Sequence, residues 1–257
     1  MFSGDSSTLD EVTPESLQEF FGVEAEGNSV GDAMYALYTA DAVCFDVDST
    51  VINEEGIDVL ADFLGKGDAV AELTAAAMEG GMKFQDALKA RLELMEPSRQ
   101  EILDCLEAHP LELTPGVQEL VKALHAKGVD VFLVSGGFRI MIEPLADILN
   151  INKETNIIAN TIHFQYGSEG KYAGFCSDEP TSQDMGKPKA LQNIQDANPS
   201  YETMVMVGDG ATDAQAKPPA KAFIGFGGVV AREPVKAQAD WFVTNFEDMT
   251  KIVDLRH

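Results

Sequence analysis

Two aspartates two residues apart stand in the run Asp46-Val47-Asp48-Ser49-Thr50, directly after an apolar stretch. Like charges this close repel and cannot both be buried unpaired, so the pair calls for a cation or a ligand. With a divalent cation between them, one carboxylate can attack phosphorus while the other carries a proton to the leaving oxygen. An isolated pair of this spacing is more often a turn that ends a strand. A second pair, in Gly208-Asp209-Gly210-Ala211-Thr212-Asp213, changes that balance. Mg²⁺ takes hard oxygen ligands in near-octahedral geometry, and Asp46, Asp209 and a backbone carbonyl near Asp48 meet the demand. Asp213 either orients a ligand or Lys187, or caps the helix that follows Thr212.

Two further segments suit a phosphate. Val134-Ser135-Gly136-Gly137 offers a hydroxyl and two residues whose missing Cβ lets backbone N–H groups approach an anion. It lacks the first glycine of a serine-hydrolase elbow, and no histidine stands nearby to activate Ser135. Lys187 opens a helical pattern over 186–197, where a cation and a helix N-terminus both favour an anion.

These residues need elements to bring them together. The runs Ala42–Phe45, Val129–Val134, Met204–Val207 and Ala222–Phe226 are continuously apolar, as parallel strands buried on both faces are. Helical patterns separate them. One starts at Thr114-Pro115 and stops before Gly128, and Pro144 is expected to kink or restart another. The expected fold is α/β: a Rossmann-like parallel sheet core with helices on both faces, an inserted helical cap and a small β-hairpin over 160–175. In such sheets ligands bind beyond the carboxyl ends of the strands, where Asp46, Ser135 and Asp209 all fall. Residues 56–108 carry helical spacing throughout, with a Ser98/Glu101 capping box, and cannot join the sheet. The expected organisation is an acidic N-terminal arm over 1–40, a core over 41–55 and 109–257, and a cap over 56–108.

These segments, in this order and spacing, resemble the haloacid dehalogenase-like hydrolases. The similarity spans residues 41–252, including Asp46–Asp58 (DVDSTVINEEGID), Leu113–Gly116, Val131–Arg139 (VFLVSGGFR), Ala173–Phe175, Val207–Asp213 and Phe223–Gly228. It is strongest toward the members that hydrolyse O-phospho-L-serine, the last step of serine biosynthesis. The resemblance implies Asp46 as the nucleophile that becomes phospho-aspartate and Asp48 as general acid and base. It implies Mg²⁺ on Asp46, Asp209 and the backbone oxygen of Asp48, and phosphate on Ser135, Gly136 and Lys187. Glu55, Met78, Arg91 and Thr212 match substrate contacts, Glu55 suited to the ammonium and Arg91 to the carboxylate. Two positions depart from the family: Glu79 replaces a glycine after Met78, and Pro188 follows Lys187 where a glycine is commoner. The rival readings are a phosphatase of the same fold for another small phosphomonoester and a non-catalytic binding protein. A dinucleotide site at Gly225-Phe226-Gly227-Gly228 is set aside because the sixth position is Val230.

Composition narrows the partners. Forty-three acidic side chains against 18 basic ones leave a net charge of −25, which repels nucleic acid and anionic membrane. The expected partner is therefore a small molecule, which the family resemblance implies is O-phosphoserine, with a homodimer left open. No apolar run approaches the ~20 residues of a membrane span. No Lys, Arg or His precedes Lys66, so neither a secretory nor a transit sequence is legible. Three cysteines without a C-x-x-C pair argue against a disulfide framework or zinc site. The expected compartment is the cytoplasm, or an organelle if a targeting segment has been removed.

Overall fold

The computed structural model describes residues 12–22, 29–77, 82–167 and 170–256. Four apolar runs form the central strands β1 (Ala42–Phe45), β2 (Asp130–Phe138), β6 (Met204–Gly208) and β7 (Ala222–Phe226). Short strands β3 (Ile157–Asn160) and β8 (Trp241–Val243) add the two edges, which sequence reading did not assign. The order is β3-β2-β1-β6-β7-β8, and every pairing is parallel.

Alternate side chains explain why the strands are apolar throughout. Val43, Phe45, Val131, Leu133, Val205, Val207, Ile224 and Phe226 enter one buried cluster, whereas Ala42, Cys44, Phe132, Val134, Met204, Met206 and Phe223 enter a second. The first face is covered by α2 (Ser29–Tyr38), α7 (Val117–Ala126), α8 (Arg139–Leu149) and α12 (Glu247–Asp254); the second is covered by α9 (Gly186–Ala197) and α11 (Glu233–Gln238), with the short α10 (Ala211–Ala214) following β6. Helix α1 (Pro14–Phe21) packs on α2, and Leu17, Met34 and Leu37 of this pair are buried in the core.

Two local expectations need correction. Helix α7 starts at Val117, after Gly116 at φ 87°, rather than at Pro115. A Cβ at Gly116 would lie 3.3 Å from Phe246, so the turn needs both the left-handed backbone and the missing side chain. Helix α8 runs as one element across Pro144, without a restart. The proline leaves the Ile140 carbonyl without its intrahelical donor, a local loss that packing of Met141, Ile142, Leu145 and Ala146 outweighs.

Helices α3 (Gly56–Phe63), α4 (Gly67–Ala76), α5 (Phe84–Met95) and α6 (Arg99–Ala108) follow β1 and stay outside the sheet. Ser98 caps α6, accepting from Glu101 N–H while the Glu101 carboxylate accepts from Ser98 N–H. The chain enters and leaves this unit side by side. Ile52 bridges Leu113, and Thr114 N–H donates to the Val51 carbonyl at 2.8 Å. The hairpin of β4 (Ile162–Phe164) and β5 (Tyr172–Phe175) is antiparallel and separate from the main sheet.

Candidate active site

A cavity of about 700 Å³ opens at the carboxyl ends of β1, β2 and β6. Asp46, Asp48, Glu55, Arg91, Gly136, Lys187, Asp209 and Thr212 all line it. Helices α3 and α5 close its far side with Ile57, Phe84, Leu88 and Arg91. Of the other residues singled out in the sequence, Ser135 and Asp213 are buried in its wall and Met78 lies outside the described residues.

Beyond β1 the chain turns sharply over Val47–Val51, with Ser49 at φ 53°. That turn sends the two aspartates to different partners. Asp46 Oδ1 accepts from Val47 N–H at 2.8 Å and from Lys187 Nζ, also at 2.8 Å. Asp48 Oδ1 accepts from Gly56 N–H at 2.7 Å, and its Oδ2 accepts from Ser135 Oγ at 3.2 Å. Glu55, at the start of α3, accepts from the Ser49 hydroxyl at 2.7 Å.

Lys187 joins β1 to β6. Its ammonium sits 2.8 Å from Asp46 and 2.5 Å from Asp213. Burial alone would lower its pKa, but Asp213 and Asp46 outweigh that and raise it, so the lysine stays charged. Asp213 has a partner for each oxygen: Oδ1 takes Lys187, and Oδ2 accepts from Gly210 N–H at 2.9 Å. Its place depends on Gly208, where a Cβ would fall 2.2 Å from the Asp213 carboxylate.

Burial, then the charges of Asp46 and Glu55, push the Asp48 carboxyl up to about 7, although Gly56 N–H and the Ser135 hydroxyl pull it down. A carboxyl so placed exchanges a proton near neutrality, as an acid that later acts as a base must. The same shift makes a stability prediction. Between roughly pH 4 and 7 the folded state holds a proton on Asp48 that the unfolded chain has lost, so stability falls as pH rises through this window. In EDTA, Asp48→Asn is expected to be more stable than the parent, by a gap that widens up to pH 7 and then stays flat. The ceiling is ~4 kcal/mol, from about three pKa units. Urea denaturation at pH 5, 6, 7 and 8 measures it, and a gap independent of pH would contradict the shift.

Burial also raises the pKa of Glu55 and lowers that of Arg91; Asp58, Glu55 and Asp48 oppose the change at Arg91. Sequence reading missed Arg232, which follows β7. Its guanidinium contacts the Asp209 carboxylate, donates to the Asp209 carbonyl at 3.1 Å, and lies 4.0 Å from Glu55. Only the strand order could have found it: β7 lies beside β6, so the loop beyond it reaches the same rim.

One carboxylate oxygen from each of Asp46, Asp209 and Asp213 lies within 4.8 Å of the other two. Asp213 is enclosed between Lys187 and Gly210, whereas Asp46 and Asp209 line the cavity. Around it, Asp46, Asp48, Glu55, Asp209 and Asp213 meet Lys187, Arg91 and Arg232, an excess of negative charge when all are ionised. Hard oxygens with surplus negative charge fit a small divalent cation. Asp48 turns its carboxylate away from that cluster, toward Gly56 and Ser135.

A parallel sheet with carboxylates at the ends of two strands, a serine-glycine segment at a third and an inserted helical unit defines a class of hydrolase. The family model for haloacid dehalogenase-like hydrolases matches residues 40–217. Over 211 residues the chain is 51% identical to a phosphoserine phosphatase of Bos taurus, covering 82% of this chain and 92% of that one. It is 50% identical to a chloroplastic phosphoserine phosphatase of Arabidopsis thaliana, covering 84% of this chain and 72% of the other. Among solved structures, a phospho-aspartyl intermediate analogue of phosphoserine phosphatase superposes with a TM-score of 0.69 at 27% identity, covering 82% of this chain and 98% of that one. The chain belongs to the phosphoserine phosphatases within the haloacid dehalogenase-like hydrolases.

Proposed function

We propose that this protein hydrolyses O-phospho-L-serine to L-serine and phosphate through a phospho-aspartate on Asp46. One observation carries the mechanism: Asp46 and Asp48 line the same cavity, Asp46 paired with the Lys187 ammonium and Asp48 poised to give and take a proton. The Asp46 carboxylate attacks phosphorus, and the bond from phosphorus to the serine oxygen breaks. Asp48 protonates that oxygen as it leaves. Water then attacks the phospho-aspartate, Asp48 takes its proton, and phosphate departs from the restored Asp46. Mg²⁺, held by Asp46, Asp209 and the backbone oxygen of Asp48, supplies positive charge to the phosphoryl oxygens when bound. Asp213 orients Lys187, which neutralises phosphate together with Ser135 and the Gly136 N–H.

Residues 56–108 act as a cap that reads the rest of the substrate. Arg91 binds its carboxylate and Glu55 its ammonium, with Met78 and Thr212 completing the contacts. Three free thiols, those of Cys44 and Cys105 buried, suit a reducing compartment, and the cytoplasm is the one we propose. Among the described residues, no helix is long and apolar enough to cross a membrane.

The test is phosphate release with Mg²⁺ from phosphoserine, phosphothreonine, phosphoethanolamine and sugar phosphates, for the parent and two variants. The guanidinium fork grips a carboxylate in a way a lysine cannot copy. Arg91→Lys is therefore expected to cost about 1.5–3 kcal/mol in kcat/KM for phosphoserine. Phosphoethanolamine has no carboxylate, so its slow hydrolysis should not change. Glu55→Gln should weaken phosphoserine but spare 3-phosphoglycerate-like substrates, which have no ammonium. Equal losses on every substrate would remove the support for a dedicated amino-acid site.

A further inference from the structure

Gly136 and Gly137 have a geometric reason to be glycines. A Cβ on Gly136 would lie 3.1 Å from the Phe84 ring, and one on Gly137 would lie 2.9 Å from Asp48 Oδ2. Close approach of backbone to the site therefore comes with a weakness. The peptide unit between two glycines is the easiest in a chain to rotate. Rotated by half a turn, it would set the Gly136 carbonyl against Ser135 Oγ, where the Gly137 N–H now donates, and release the serine from its place in the site.

The neighbouring strand supplies a restraint. Asn160, at the end of β3, is fully buried. Its Nδ2 donates to the Gly136 carbonyl at 2.7 Å and faces the Thr181 carbonyl at 3.4 Å. Thr181 Oγ1 donates in turn to Asn160 Oδ1 at 3.0 Å. The opposite amide orientation would set Oδ1 against two carbonyl oxygens, so the surroundings allow one only. On the far side of the same peptide unit, Gly137 N–H donates to Ser135 Oγ at 2.8 Å. Having accepted that bond, the hydroxyl directs its own proton to Asp48 Oδ2. Thr181 also belongs to the turn Pro180–Ser182, which lies against the start of α9: a Cβ at Gly186 would meet the Pro180 carbonyl at 2.2 Å. One buried amide therefore ties the serine-glycine segment to the turn that leads into Lys187.

We infer that Asn160, braced by Thr181, is a positioning residue that locks the Gly136–Gly137 peptide in the orientation the phosphate site requires. It does not line the cavity and acts through Gly136 and Ser135. The inference rests on the phosphate-binding role proposed above for Ser135 and Gly136.

The test uses the Mg²⁺-loaded protein, with inorganic phosphate as the probe. Asn160→Ala removes the donor to Gly136. Thr181→Val keeps shape but removes the hydroxyl that orients the amide, and Thr181→Ser keeps the hydroxyl. Calorimetry is expected to show phosphate binding weakened roughly 10-fold or more by Asn160→Ala and about threefold by Thr181→Val, as loss of a buried hydrogen bond implies. Thr181→Ser should match the parent. KM for the phosphomonoester should rise in the same order. A merely structural role would lower thermal stability and the active fraction while leaving phosphate affinity and KM unchanged. That outcome in both Asn160→Ala and Thr181→Val overturns the inference. If Asn160→Ala fails to fold, the contrast between Thr181→Val and Thr181→Ser decides in the same way. A parent that hydrolyses phosphoserine yet gives variants of parental phosphate affinity refutes only the lock. A parent that neither binds phosphate nor hydrolyses any phosphomonoester refutes the reading of the site, and the inference with it.

Discussion

Asp46→Asn is expected to lower kcat by on the order of 10⁴-fold or more, as removal of a covalent nucleophile does. The substitution is nearly isosteric. An asparagine Oδ1 can still accept from Val47 N–H and Lys187, and Asp213 still pairs the lysine, so the fold should survive. What is lost is the carboxylate oxygen that bonds to phosphorus. A brief reaction with labelled phosphoserine, quenched in acid, should leave label on the parent and none on the variant. A thermal melt confirms that both are folded. Label on a serine or histidine, or parental turnover in the variant, would refute the mechanism.

Removal of the metal should be as severe. EDTA is expected to abolish turnover and Mg²⁺ to restore it. Without a cation, the facing carboxylates of Asp46 and Asp209 confront the phosphate dianion with Lys187, Arg91 and Arg232 as the only cations among the described cavity residues. Ca²⁺ should bind without supporting turnover. It is larger and takes six to eight oxygens, so it accepts both oxygens of a carboxylate and would leave Asp46 no free lone pair aimed at phosphorus. Mg²⁺ holds a stricter octahedron and takes one oxygen from each carboxylate. Activity in Ca²⁺ equal to that in Mg²⁺, or activity that persists in EDTA, would exclude this arrangement.

Much of the architecture was legible from local sequence. A strand buried on both faces must be apolar at every position, so β1, β2, β6 and β7 announced themselves. The edge strands β3 and β8 did not, because three or four residues at a sheet edge carry too little pattern. The helical unit was legible from spacing, and its place over the strand ends followed from the parallel sheet, since an insertion after β1 must begin at that rim. Residues before β1 read as an arm because they are acidic and rich in Ser and Gly, with only two short helical patterns. Yet Leu17, Met34 and Leu37 are buried, through contacts with helices and strands distant in sequence.

The site divides in the same way. Asp46, Asp48, Ser135, Asp209 and Asp213 were picked from sequence because each stands at or just beyond the end of an apolar run, with a spacing that is hard to explain by structure alone. Residue type and strand periodicity are local properties, and a sequence displays them directly. Their partnerships are not local. The turn at Ser49 sends Asp48 toward Ser135, 87 residues away, and leaves Asp46 facing Lys187. Arg232 reaches Asp209 across 23 residues, and Asn160 holds Gly136 across 24. An arginine on a loop or an asparagine at an edge carries no pattern that separates it from a solvated neighbour. Only the folded chain buries such a group beside a carbonyl or a carboxylate. There an unmet hydrogen bond or charge is costly, and the pairing becomes specific.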